Sequence, residues 1–145
     1  MKKIEKVTNS EKETMSFAKK FAKSLKQGDI VLLSGDLGAG KTVFSKGFTK
    51  GRGVKADVVS PTFTIMNNYA GKVLHYDLYR LESFAEFELT GAYEEMFIGG
   101  NVSLVEWPEK VGLINFPKSA YLVTIIKLDE EKRLITIQMN EGGRN

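Results

Sequence analysis

One octapeptide restricts the folds open to this chain more than any other stretch. Gly35-Asp36-Leu37-Gly38-Ala39-Gly40-Lys41-Thr42 follows the pattern G-x-x-x-x-G-K-[ST] and stands directly behind the wholly apolar run Ile30-Val31-Leu32-Leu33. Its glycines free the backbone so that successive N–H groups can turn inward toward an anion. A helix receiving the loop adds its positive N-terminal end. In that setting Lys41 reaches the β- and γ-phosphates of a nucleotide, and the Thr42 hydroxyl sits on a magnesium ion. Gly35, Asp36, Leu37, Gly38, Ala39, Gly40, Lys41 and Thr42 are therefore candidate nucleotide contacts. The competing reading is a glycine-rich turn with a surface lysine.

A loop of this kind needs a strand before it and a helix after it, and the rest of the chain supplies more of both. Ser10 and Glu13 form a capping box, followed by an apolar stripe of Thr14, Ala18, Phe21, Ala22 and Leu25 at helical spacing, with Gly28 as the stop. Before it, Ile4 to Val7 fits a short edge strand. Thr42 to Lys50 reads as the helix that receives the phosphates, closed by Gly51 and Gly53. Val58-Val59 reads as a strand end leading into an extended loop, because Pro61 forces Ser60 out of helical geometry. Thr64 to Tyr69 and Lys72 to Asp77 alternate like a hairpin, with Asn67, Asn68 and Gly71 at its turn.

Further on, Phe84 to Leu89 reads as helix and Val102 to Val105 as a buried strand ending in Glu106-Trp107-Pro108. Tyr121 to Leu128 and Leu134 to Met139 suggest a closing antiparallel pair, and residues from about 140 to 145 a frayed tail. Strands alternating with helices around a phosphate loop imply an α/β fold, with a mixed, mainly parallel sheet flanked by helices. The 145 residues suffice for one such domain, spanning 1–145, and are too few for two.

Composition enters mainly by exclusion. Without a single cysteine, disulfides and thiolate metal sites are ruled out. The N-terminus is lysine-rich and amphipathic, unlike a signal peptide, and no run of about 18 apolar residues occurs. The expected compartment is the cytoplasm, with no membrane partner. Charge is uneven: residues 1–55 hold 13 Lys/Arg against 5 Asp/Glu, net +8, whereas residues 56–109 hold 2 against 9, net −7. Lys12, Lys19, Lys20, Lys23 and Lys26 fall on the first helix, as a solvated face or as a docking surface for a partner or RNA.

The chemistry of a phosphate loop calls for an acid at the end of a neighbouring strand, to hold the metal directly or through water. Glu106 closes the run Val102-Ser103-Leu104-Val105 and meets that need. Trp107, the only tryptophan, is a candidate either to stack on the nucleotide base or to fill the core. Period-two alternation puts His75, Asp77 and Tyr79 on one strand face, making Asp77 a candidate to orient or deprotonate the attacking water, or to bind magnesium through water. His75 reads as structural, since no second histidine exists to build a metal site. Arg80 fits either an internal arginine finger or a salt bridge to the acidic middle segment. Ser60, Pro61, Thr62, Phe63 and Thr64 follow the loop helix, where nucleotide-dependent switch segments lie; an ordinary turn is the alternative.

Four motifs in this order, GDLGAGKT (35–42), SPTFT (60–64), HYDLYR (75–80) and VEWP (105–108), resemble the bacterial TsaE (YjeE-type) ATPases of tRNA threonylcarbamoyladenosine biosynthesis. The resemblance spans most of the chain and shows no departure at those positions. It implies a P-loop NTPase fold and a small ATPase, weak alone, serving modification of adenosine 37 of tRNA together with TsaB and TsaD, with tRNA contacted indirectly. It further implies magnesium at Thr42 and Glu106, catalytic roles for Asp77 and Lys41, a switch at residues 60–64, Trp107 near the base, and Glu11 as a nucleotide contact. A small-metabolite kinase would share the loop, yet such enzymes close an arginine-bearing lid, and residues 56–109 offer only Lys72 and Arg80. A plain RNA-binding module would need exposed aromatics among the N-terminal lysines. Phe17, Phe21, Phe44 and Phe48 are spaced instead as core residues.

Overall fold

The computed structural model describes every residue except Met1, Ala56, Ser60 and Thr62. Its elements in chain order are β1 (Ile4–Thr8), α1 (Glu11–Lys23), β2 (Ile30–Ser34), α2 (Lys41–Gly51), β3 (Met66–Tyr69), β4 (Val73–Asp77), α3 (Phe84–Leu89), α4 (Ala92–Glu95), β5 (Val102–Glu106), β6 (Tyr121–Lys127) and β7 (Arg133–Met139). Two short 3-10 turns, Pro108–Lys110 and Leu113–Asn115, lie between β5 and β6. All seven strands join one mixed sheet in the order β1-β7-β6-β2-β5-β4-β3. The four central strands β6, β2, β5 and β4 run parallel, while β3, β7 and β1 add antiparallel flanks. The parallel centre is wholly buried in β4 and β5, as expected of strands covered on both faces.

Alternation divides the core in two. Val31, Leu33, Val73, Val102 and Leu104 face α1 and α2, joined by fully buried Phe44 and Phe48. Leu32, Leu74, Tyr76 and Val105 face the opposite layer, with Phe87 of α3 and Tyr93 of α4. Tyr76 is fully buried and its hydroxyl donates to the Ala92 carbonyl at 2.8 Å, which ties α4 to the sheet. Phe17 and Phe21 also lean on the first core, so none of the four N-terminal phenylalanines forms an exposed stacking platform.

Helices α1 and α2 approach closely because α2 carries glycine where they meet. A Cβ at Gly47 would collide with the Met15 carbonyl of α1. The α1 cap forms as expected, the Glu13 N–H donating to Ser10 Oγ at 3.1 Å. The return bond reaches one residue further out, from the Asn9 N–H to Glu13 Oε1 at 3.1 Å. Lys6, Lys12, Lys19, Lys20 and Lys23 border a groove along β1 and α1, with Phe17 and one acid, Glu13.

Three expectations need correction. Asn67 and Asn68 belong to β3 itself, and the turn is Ala70-Gly71, where Asn68 Oδ1 accepts the Gly71 N–H at 2.9 Å. Val58 and Val59 form no strand; the Val59 carbonyl instead accepts from Asn67 Nδ2 at 3.0 Å and Tyr69 Oη at 2.9 Å. Side chains of the edge strand thus hold this segment in place of a backbone ladder. Finally, residues 141–145 do not fray. Arg144 bridges Pro117, its N–H donates to the Phe116 carbonyl at 3.0 Å, and its guanidinium lies by the rings of Tyr93 and Phe97.

Candidate nucleotide site

In a parallel sheet, loops and helix N-termini gather at the C-terminal ends of the strands, and ligands bind there. Strand β2 delivers Gly35 to that edge, β5 delivers Glu106 and β4 delivers Asp77. Register makes them neighbours, with Leu33 opposite Glu106 and Glu106 opposite Asp77. Glu11, Asp36, Leu37, Gly38, Gly40, Lys41, Thr42, Asp77, Glu106 and Trp107 all line one cleft of about 520 Å³. Gly35 and the buried Ala39 lie outside that lining. Gly40 caps α2 with φ 107°, a left-handed value open to glycine at little cost.

Lys41 is the most constrained side chain of the loop. Its ammonium donates to the Gly35 carbonyl and, at 3.5 Å, to that of Asp36, and it lies 3.6 Å from the centre of the Trp107 ring. Burial lowers its pKa from the ordinary lysine value, against the opposing fields of Glu106, Glu109, Asp77 and Asp36. The carbonyls and the ring are thus the partners of the cation in this structure. Thr42, in the first turn of α2, is exposed.

Trp107 is held in the left-handed region at φ 59° and ψ 45°, an uncommon state for a residue other than glycine. Its N–H donates to the Leu33 carbonyl at 3.3 Å, and Tyr79 packs edge-on against the indole at 4.9 Å. The ring thus covers the lysine that is expected to hold phosphate. Asp77 is 7% exposed; its Oδ1 accepts the Tyr79 N–H at 3.0 Å. His75, read from sequence as structural, turns its ring to Glu106, with Nε2 and Oε2 2.5 Å apart.

Of the switch candidates, Ser60 and Thr62 lie outside the described residues. Pro61, Phe63 and Thr64 belong to an irregular segment that reaches Asp77 through its backbone. The Ile65 N–H donates to Pro61, and the Ile65 carbonyl accepts the Asp77 N–H, each at 2.8 Å. Ile65 itself has φ 68°. Arg80 lays its guanidinium 4.2 Å above the Phe63 ring, in place of the acidic partner considered for it.

Five cleft residues escaped sequence reasoning: Thr14, Val43, Tyr79 as a wall, Glu131 and Arg133. Arg133 Nε donates to the Ala39 carbonyl at 2.8 Å, so the start of β7 braces the phosphate loop. The available signal was topological. With β6 parallel to β2, the charged β6–β7 turn must emerge at the same edge as the loop.

Comparison with known proteins supplies what geometry alone does not. Residues 8–135 match the family model "Threonylcarbamoyl adenosine biosynthesis protein TsaE". The chain is 43% identical to the tRNA threonylcarbamoyladenosine biosynthesis protein TsaE of Rickettsia typhi, over 90% of this chain and 91% of the relative. It is 41% identical to the protein of the same name from Bacillus subtilis, over 94% and 85%. Among solved structures it resembles Bacillus subtilis YdiB with a TM-score of 0.73 and 33% identity, over 95% of this chain and 86% of that one.

Proposed function

Because this chain belongs to the TsaE family of tRNA threonylcarbamoyladenosine biosynthesis, we propose that it hydrolyses ATP with magnesium as an accessory subunit of the complex formed with TsaB and TsaD. Cytoplasmic action follows from that role, and contact with tRNA is made through the partners. The observation that carries the reading is the convergence of Lys41, Thr42, Asp77 and Glu106 on one cleft.

The donor set suits magnesium. The Thr42 hydroxyl and two carboxylates are hard oxygen ligands, and among the described residues no cluster of three His, Asp or Glu could cage an ion without the nucleotide. An ion shared with phosphate oxygens fits such a site, with Thr42 and Glu106 holding it. Magnesium, when bound, neutralises charge on the phosphate oxygens. The backbone of Gly35 to Thr42 cradles the phosphates, and Lys41 leaves its carbonyl partners to bind them. Asp77 orients the attacking water and accepts its proton. Glu11 and Trp107 complete the nucleotide contacts, Trp107 at the lysine. Pro61, Phe63 and Thr64, with Ser60 and Thr62, respond to the terminal phosphate through the bond between Ile65 and Asp77.

The test is ATP turnover by the isolated chain and by the chain with TsaB and TsaD. Slow turnover alone and a marked rise with both partners is the expected result. Fast turnover indifferent to them contradicts the accessory role. The small-metabolite kinase alternative has no observation in its favour.

A further inference from the structure

Among buried polar groups the pair His75 and Glu106 stands apart. Both are nearly inaccessible, at 1% and 6% exposure. His75 sits on the same face of β4 as Asp77, one pleat back from the strand end, and faces Leu104 in the register with β5. From there its ring reaches along the sheet to Glu106, two residues beyond Leu104. Nε2 meets Oε2 at 2.5 Å, and the same oxygen accepts from Ser45 Oγ of α2 at 3.4 Å. Both bonds fall on Oε2. Among the described residues Oε1 has no hydrogen-bond partner of its own, and Glu106 lines the cleft.

The other ring nitrogen argues against simple packing. Nδ1 is buried and makes no hydrogen bond among the described residues. A space-filling role would be met at lower desolvation cost by phenylalanine or leucine. With a carboxylate as its hydrogen-bond partner, the ring donates from Nε2 to Oε2. This is the arrangement by which an outer group fixes the orientation of a ligating carboxylate.

We propose that His75 is a positioning residue for the metal site: its Nε2–H, with Ser45 Oγ, clamps Oε2 of Glu106 so that Oε1 is presented to the nucleotide-bound cation. The inference rests on the reading of Glu106 as a metal ligand. It assigns a site role to a histidine that sequence reasoning took as structural.

The test uses the full chain with ADP and Mn²⁺ as the probe, measuring Mn²⁺ affinity by calorimetry or electron paramagnetic resonance, ADP affinity in chelator, and thermal melting. His75→Asn shortens the side chain and removes the bond to Glu106, whereas His75→Gln keeps an N–H at similar reach. His75→Asn is expected to weaken Mn²⁺ binding by about 10-fold, with metal-free ADP affinity unchanged, and His75→Gln to recover most of the loss. Added to Glu106→Gln, His75→Asn should cost nothing further. Equal Mn²⁺ affinity for His75→Asn and His75→Gln, with Glu106→Gln impaired, overturns the positioning role alone. Wild-type Mn²⁺ affinity in Glu106→Gln overturns the metal reading beneath it.

Discussion

The two walls of the cleft are held in different ways. On one side β2, the loop and α2 are locked: Lys41 is bonded to loop carbonyls, Arg133 braces Ala39, and Glu106 is clamped by His75 and Ser45. On the other, Phe63 is 82% exposed, Ile65 takes a strained φ, and its carbonyl accepts the Asp77 N–H as one link to the site. The first wall has its backbone held in place before nucleotide arrives, and binding has only to exchange the carbonyl partners of Lys41. Among the described residues of the second, Phe63 and Thr64 are exposed, and elements that move are drawn from such regions. On the proposed reading, holding phosphate and sensing it fall to separate segments that share Asp77.

Substitutions can break this contrast, and the largest effect is expected at its firmest point. Lys41→Ala removes the proposed charged phosphate partner and should weaken ATP binding by about 100-fold in equilibrium titration. An effect below threefold would mean that the cradle does not depend on its lysine. Glu106→Gln should lower turnover by about 100-fold while ATP affinity stays within about threefold if, as proposed, the acid serves metal more than nucleotide. Turnover at the wild-type rate removes Glu106 from the metal shell.

Gly47→Val tests whether the cradle depends on helix packing. A branched side chain pressed on the Met15 carbonyl should cost about 2–3 kcal/mol in denaturant unfolding, and a neutral result would show that α1 and α2 can separate. Smallest of all is Phe63→Ala. Losing an exposed ring under Arg80 should cost about 0.5 kcal/mol of stability and leave ADP affinity unchanged. Hydrogen exchange sharpens the same point: amides near Phe63 and Ile65 should slow more with a non-hydrolysable ATP analogue than with ADP. Equal protection by both nucleotides would remove the sensing role.

The cradle was legible in sequence because local rules specify it. An apolar run, glycines at fixed offsets and a capping box each act within a few residues, and β2, α1 and α2 form as those rules require. Glu106 and Asp77 were legible as strand-end acids, since alternation and strand length are local too. What sequence concealed depends on neighbours far along the chain. The pairing of His75 with Glu106 needs the β4–β5 register, and Arg133 at Ala39 needs β6 beside β2. Asn67 and Asn68 looked like turn residues because their side chains favour turns, yet edge strand β3 tolerates them and uses Asn68 to close the turn beyond it. The tail looked free because its polar composition hides the aromatic bed on which Arg144 rests.

The account stands most directly on whether nucleotide chemistry in this cleft serves tRNA modification. Threonylcarbamoyladenosine formation over many turnovers should be measured with TsaB, TsaD, tRNA, threonylcarbamoyl donor and ATP, adding no chain, the wild-type chain or its Lys41→Ala variant. Sustained product formation with the wild-type chain, lost equally when the chain is omitted or carries Lys41→Ala, is the result expected. The same yield in all three reactions would contradict the central claim.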